Sequence, residues 1–295
     1  MGRGACFSQC YGCDQRRDFV ASVWTPTGLG SRSPGPDESK VGHMIQLDGT
    51  SLVQGASRGI GLELVRQLLG TRPFERVIAT CRQPSQATEL QALASTQPER
   101  LLIVELDVQN EETIESAAKA VASETNELGL ILNVAGVLHG PDFGPEKRLS
   151  QIQPDALRKV FEVNAFGPLL VAKHFHGLLR HDRRSVFASL SARVGSISDN
   201  RLGGWYAYRA SKAAQNMITK NLSIELARIA PKSIVVGLHP GTVDTDLSKP
   251  FQRTVPEHQL LSKSTAAHAL LEVISGLDRE DSGKVFDYRG CEIAP

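Results

Sequence analysis

Short β-branched runs that alternate with longer stretches of three- and four-residue apolar spacing limit how this chain can fold more than any other feature. From Gly49 onward, residues 51–54, 76–80, 101–106, 130–133, 186–190, 234–238 and 285–287 read as seven strands. Residues 60–69, 111–124, 154–179, 205–229 and 265–274 fill the gaps as helices. Most of the strand segments are apolar throughout, as a sheet covered on both faces requires. Parallel strands need right-handed crossovers, so consecutive units wind onto both faces of one sheet. The prediction is an α/β fold over residues 44–295: one doubly wound domain on a seven-stranded parallel sheet. A chain of 295 residues suits that size, and neither an internal repeat nor a second domain is visible.

Charge and segment composition narrow the function classes. Thirty-three basic residues against 32 acidic ones leave a net charge of +1, with no bulk field to draw nucleic acid or an anionic membrane. Residues 128–138, the longest apolar run of the fold, are broken by Gly129, Asn133 and Gly136 and fall short of the roughly 20 residues of a membrane helix. No nucleic-acid or membrane partner is therefore expected. Residues 1–43 carry Gly, Pro, Ser and Arg without apolar periodicity and read as a disordered leader, with Met44 as an internal start for a complete fold. Asp14 and Asp18 weaken a mitochondrial transit reading, and Cys6 stands where a myristoylation motif wants Ser or Thr. Cys6, Cys10 and Cys13 lack a fourth nearby ligand, so no metal site is expected. Cys81 and Cys291 stand alone, and no disulfide framework can be read. The expected compartment is the cytoplasm, with a mitochondrial address as the alternative.

Directly after the first strand comes Gly55-Ala56-Ser57-Arg58-Gly59-Ile60-Gly61, and a helix pattern begins inside it. Glycines at a strand-to-helix turn let a dinucleotide approach the main chain closely, and the helix N-terminus offers unpaired N–H groups to its pyrophosphate. The spacing is GxxxGxG rather than the common GxGxxG. At the end of the second strand, Ala79-Thr80-Cys81-Arg82 carries no acid of the kind that holds the ribose 2′-hydroxyl of NAD. Arg58 and Arg82 can instead contact a 2′-phosphate, which points to NADP(H).

Tyr208 and Lys212 lie four residues apart in a helical segment and so share one face. A free tyrosine has a pKa of about 10, and a neighbouring ammonium stabilises its phenolate, so Tyr208 could pass a proton to a carbonyl oxygen. Ser189 and Ser191 both reach the C-terminal edge of the fifth strand, the side on which open α/β sheets bind ligands. Either hydroxyl could bond a developing oxyanion; Ser191 is the choice and Ser189 a close rival.

The ordered set GxxxGIG (Gly55 to Gly61), Asn133-Val134-Ala135-Gly136, Val163-Asn164-Ala165, Ser191, Tyr208-Arg209-Ala210-Ser211-Lys212 and Pro240-Gly241-Thr242 resembles the short-chain dehydrogenase/reductase family. The likeness runs from about residue 49 to the C-terminus. Within that family, Ser191 onward through Gly203-Gly204-Trp205-Tyr206-Ala207-Tyr208 is similar to the sniffer-like and C-factor-like carbonyl reductases. The resemblance implies a Rossmann-type fold and a catalytic tetrad of Asn164, Ser191, Tyr208 and Lys212. It also implies that Lys212 binds the nicotinamide ribose and that Asn164 anchors a water between that lysine and solvent. Cofactor contacts are implied at Ile60 beside the phosphates and at Asp107 and Val108 beside the adenine. Further ones are implied at Asn133, Ala135 and Gly136 beside the adenine ribose, and at Pro240, Gly241 and Thr242 beside the carboxamide. Two positions depart from the family pattern: Gln54 stands where Thr is usual and Val134 where a second Asn is usual. Both changes are expected to remove polar support from the sheet edge.

Two functions follow from these readings. One is reduction of a ketone, aldehyde or quinone by NADPH, with Ser191 polarising the oxygen and Tyr208 donating the proton. The other is a dinucleotide-binding regulatory or signalling protein with little turnover. Residues 243–262 are the expected specificity segment, and their composition does not choose a substrate. The helices at 154–179 and 205–229 could build the four-helix homodimer interface common in the family, although relatives with insertions near residues 140–149 can be monomers.

Overall fold

The computed structural model describes residues 48–70 and 74–295. The leader reading for residues 1–43, with its cysteines, and the internal start at Met44 fall outside them. In chain order the described elements are β1 (Gly49–Gln54), α1 (Gly59–Gly70), β2 (Phe74–Cys81), α2 (Thr88–Thr96), β3 (Leu101–Glu105), α3 (Glu111–Glu124), β4 (Leu130–Asn133) and α4 (Pro154–Phe161). They continue with α5 (Gly167–Phe175), β5 (Ser185–Leu190), α6 (Tyr206–Ile229), β6 (Ser233–His239), β7 (Thr242–Val243), β8 (Leu260–Leu261), α7 (Lys263–Gly276) and β9 (Val285–Asp287).

Seven strands form one sheet in the order β3-β2-β1-β4-β5-β6-β9, and every pairing is parallel. This is the Rossmann-type doubly wound arrangement, with its reversal of strand order between β1 and β4. Successive strand residues face opposite sides, so each strand feeds two cores. Val53, Val77, Leu132 and Ala188 pack under α1, α2 and α7 with Leu64, Leu68, Leu90 and Leu270. Their neighbours Leu52, Ile78, Ile131 and Phe187 pack on the other side with Ile114, Val121, Phe175 and Leu226 of α3, α5 and α6. Fully burying each large apolar side chain is worth about 1.5–3 kcal/mol, which is why the strands read as continuous apolar runs.

Local chemistry sets the helix ends. Asn110 caps α3 by accepting from the Glu112 N–H, and Glu111 and Glu112 add favourable charge at that end. Ser262 caps α7 by accepting from the Thr265 N–H. The segment 154–179, expected as one helix, is divided by a wider π turn over Glu162–Phe166 and ends in a 3₁₀ turn. Pro168 has no N–H to give the Asn164 carbonyl, so an α-helical ladder cannot run through this point. A second, two-stranded parallel sheet pairs β7 with β8 and closes the ends of the specificity segment, a contact the sequence does not announce.

Candidate active site

The C-terminal ends of the strands open into a cavity of about 620 Å³ whose walls carry Gly55, Arg58, Ile60, Arg82, Ser191, Tyr208 and Lys212. Its floor is the glycine turn. Gly55 has φ +83°, and a Cβ there would lie 2.7 Å from the Ala135 nitrogen. Gly55 and Ala56 both donate their N–H to the Thr80 carbonyl, at 3.0 and 2.9 Å, which ties the turn to β2. A Cβ on Gly61 would sit 2.2 Å from the Gly55 carbonyl oxygen, so the first turn of α1 folds back on the loop only with glycine at this position. Gly59, at φ +62°, has only the Thr245 methyl near its open side, at 3.8 Å. α1 has no acidic residue in its first turn, leaving its unpaired N–H groups to an incoming anion. This cradle fits a dinucleotide pyrophosphate.

The expected cofactor residues divide between the wall and the layer behind it. Ser57, Gly59, Asp107, Val108, Ala135, Gly136 and Pro240 join those already named on the cavity surface, whereas Gly61, Asn133, Gly241 and Thr242 do not line it. Asn133 is buried and donates to the Ser189 hydroxyl at 3.2 Å. Arg58 and Arg82 also border a smaller polar recess with Ser57, Gln83 and Thr88 beside the cavity. Arg58 pairs with Asp246 of the specificity segment at 3.0 Å, and both side chains are exposed. The expected loss of polar support at Gln54 is corrected: its Oε1 accepts from the Ala135 N–H at 3.2 Å, so this side chain itself bridges β1 to the turn after β4.

α6 presents the expected catalytic pair. Tyr208 and Lys212 follow one another along it, both buried. The Lys212 ammonium donates to the Leu190 carbonyl at 2.6 Å and to Gln215 Oε1 at 2.9 Å, and it stands 5.9 Å from the centre of the Tyr208 ring. Burial pushes the Tyr208 phenol up to about 12 and the Lys212 ammonium down to about 7. The phenol therefore holds its proton throughout the physiological range, while the lysine changes charge near neutrality.

Ser191 lies just past β5, anchored by its N–H to the Leu238 carbonyl at 2.7 Å, and its hydroxyl donates to Asn216 Oδ1 at 2.6 Å. Its rival Ser189 lies one strand period deeper, engaged by Asn133 and away from the cavity wall. Asn164, fully buried in the π turn, clamps Val137 through both its N–H and its carbonyl, each at 2.8 Å, and donates to the Ser211 hydroxyl at 3.1 Å. A Cβ on Gly136 would come within 3.5 Å of Asn164 Oδ1 and 4.0 Å of the Lys212 nitrogen, which places the turn after β4 against the tetrad.

Several residues of the site were not singled out in the sequence. Glu146, only 4% exposed, accepts from the Ala207 N–H through its carboxylate and from the Trp205 N–H through its main-chain carbonyl. It thereby caps α6 at the point where Trp205 takes a left-handed φ of +51°. The Trp205 ring packs on Phe251 at 5.1 Å and on Tyr208 at 6.2 Å, and Phe251 meets His139 at 5.8 Å, forming an aromatic cover at the Tyr208 end. Gln215 and Asn216 were legible in principle, because three and four residues beyond Lys212 continue the same helix face.

A parallel sheet, a phosphate-admitting glycine turn and a buried Tyr–Lys pair beside a serine hydroxyl together define an oxidoreductase of the kind that works with a nicotinamide dinucleotide. Residues 50–256 match the family profile of short chain dehydrogenase, and the chain belongs to that family. It is similar to the NADPH-bound carbonyl reductase from chicken fatty liver, with 31% identity and a TM-score of 0.77 over 87% of this chain and 98% of that one. The carbonyl reductase Sniffer of D. melanogaster is 28% identical, with a TM-score of 0.74 over 85% of this chain and all of its own. C-signal of Myxococcus xanthus is 36% identical over 170 residues, 57% of this chain and 93% of that protein.

Proposed function

We propose that this protein is an NADP(H)-dependent reductase that converts a small carbonyl compound, a ketone, aldehyde or quinone, to an alcohol, with Tyr208 as the general acid. The observation that carries the reading is the convergence of Ser191, Tyr208 and Lys212 on one wall of the cavity into which the glycine turn also opens. A dinucleotide held by the glycine turn and Lys212 would supply the hydride for such a reduction. Tyr208, protonated at neutral pH, gives its proton to the carbonyl oxygen, and the Lys212 cation lowers the cost of the phenolate left behind. Ser191 hydrogen-bonds the same oxygen as charge develops there. The clamp from Asn164 to Val137 holds the turn after β4 in register with Lys212.

NADP(H) rather than NAD(H) is supported by Arg58 and Arg82 around the polar recess and by the absence of a carboxylate at the end of β2. The NADPH-bound state of the chicken relative supports the same choice. Asp107 and Val108 would flank the adenine, and Pro240 to Thr242 the carboxamide. A cytoplasmic site of action rests on the sequence. Among the described residues no helix is long and apolar enough to cross a membrane. A homodimer through α5 and α6 is supported by Leu169, Met217 and Ile224, which stand exposed on those helices.

NADPH oxidation over a panel of carbonyl compounds tests the reading. Tyr208→Phe is expected to lower turnover by at least about 10²-fold while NADPH affinity is kept. Turnover that survives unchanged discards the mechanism, and tight NADPH binding by the wild type with no turnover favours the regulatory alternative.

A further inference from the structure

Tyr208, Lys212 and Asn216 follow at four-residue intervals along one side of α6, and Lys212 and Asn216 meet the end of β5 through Leu190 and Ser191. Ser191, 4% exposed, meets the last of them: its hydroxyl donates to Asn216 Oδ1 at 2.6 Å. A serine hydroxyl has one hydrogen. While that hydrogen is given to Asn216, Ser191 can accept a bond but has none to offer, and a carbonyl oxygen in the cavity needs a donor. Rotation of the Asn216 amide by half a turn exchanges Oδ1 for Nδ2 at the same place, because the two groups have nearly the same shape. Nδ2 then donates to the Ser191 oxygen, and the hydroxyl hydrogen is released toward the cavity. Both arrangements keep the part-buried pair bonded, so Ser191, itself buried, never loses its partner during the exchange. The amide donating to Ser191 also strengthens the hydroxyl as a donor in turn.

We propose that Asn216 is a positioning residue for Ser191, its amide turning over to direct the serine proton to the substrate's carbonyl oxygen. The inference rests on the assignment of Ser191 as the donor to that oxygen. An ionised aspartate at this position would only accept, and would hold the serine hydrogen permanently; alanine would leave the hydroxyl free to rotate. The isosteric change is therefore the more damaging one, opposite to what a purely structural asparagine gives.

The test compares wild type, Asn216→Asp and Asn216→Ala in NADPH-driven carbonyl reduction, with NADPH affinity by fluorescence and thermal midpoints measured alongside. Asn216→Asp is expected to lower kcat about 10²-fold relative to wild type at pH 8, the loss typical of one missing oxyanion donor, and the ratio of variant to wild type, taken at each pH, is expected to recover as pH falls and the new carboxyl protonates. Asn216→Ala is expected to lose about tenfold or less, and both keep the NADPH affinity. In a Ser191→Ala background Asn216→Asp should cost nothing further, a criterion that separates action through Ser191 from damage to the helix. A wild type that turns over while Asn216→Asp matches it, or losses that follow the thermal midpoints with alanine worse than aspartate, overturn this inference and leave the reductase reading in place. A wild type that binds NADPH and reduces no carbonyl overturns both.

Discussion

Burial gives Tyr208 and Lys212 opposite shifts, and the pair's charge state at working pH follows. The Tyr208 proton is retained to about pH 12, so on the proposed mechanism the acid form would not be limiting. Lys212 is lowered from its ordinary value to about 7, so its cation is present below neutrality and is lost as pH rises. In carbonyl reduction kcat/KM should be level below about pH 7 and fall above it; a profile flat to pH 9 would contradict this role for Lys212. The sign for folding differs: the unfolded chain keeps the Lys212 proton to its ordinary pKa of 10.5, so the fold gains stability as pH rises between the two values. At this scale the YxxxK spacing was legible because four residues close one helical turn. The choice of Ser191 over Ser189 was not settled by spacing, because residues two apart in an extended chain share a face. The neighbouring strand separates them, by setting Asn133 against Ser189.

Among the elements, the β1–α1 turn is the one whose shape is fixed most tightly by single atoms. Gly61→Ala would drive a methyl against the Gly55 carbonyl at 2.2 Å, and neither backbone can yield without opening the turn. Gly59→Ala would meet only the Thr245 methyl, at an ordinary contact distance of 3.8 Å, and carries the strain of a positive φ, about 1–2 kcal/mol. NADPH titration and thermal melts should therefore show Gly61→Ala losing more than tenfold in affinity, with Gly59→Ala milder in both; equal effects would contradict the packing account. Strands were readable from their continuous apolar runs and the long helices from their three- and four-residue period. α2 was not, because Leu90 is its one buried residue and a single buried position has no period. β7 and β8 were not, because two-residue strands paired across Thr242 and Leu260 leave no local signal. The break in the 154–179 helix was written in Pro168, whose missing N–H forbids a continuous ladder.

Across the whole molecule, the functional groups gather at one edge of the sheet. β1 and α1 bring the glycine turn, β5 and α6 the side chains proposed to react, and the segment after β6 part of the cavity wall. The Arg58–Asp246 pair spans from the first of these to the last. On the NADP(H) reading proposed above, a 2′-phosphate would seek the guanidinium that Asp246 holds, so that carboxylate would compete with the ligand. An exposed pair of this kind is worth about 1 kcal/mol at most. Asp246→Asn should then tighten NADPH by up to roughly fivefold and leave NADH unchanged, an outcome that paired titrations would read directly. Were the proposed 2′-phosphate to displace that carboxylate, the ion pair between the specificity segment and the glycine turn would open, so loading the dinucleotide would loosen the entrance for the second reactant and favour an order of arrival for the two.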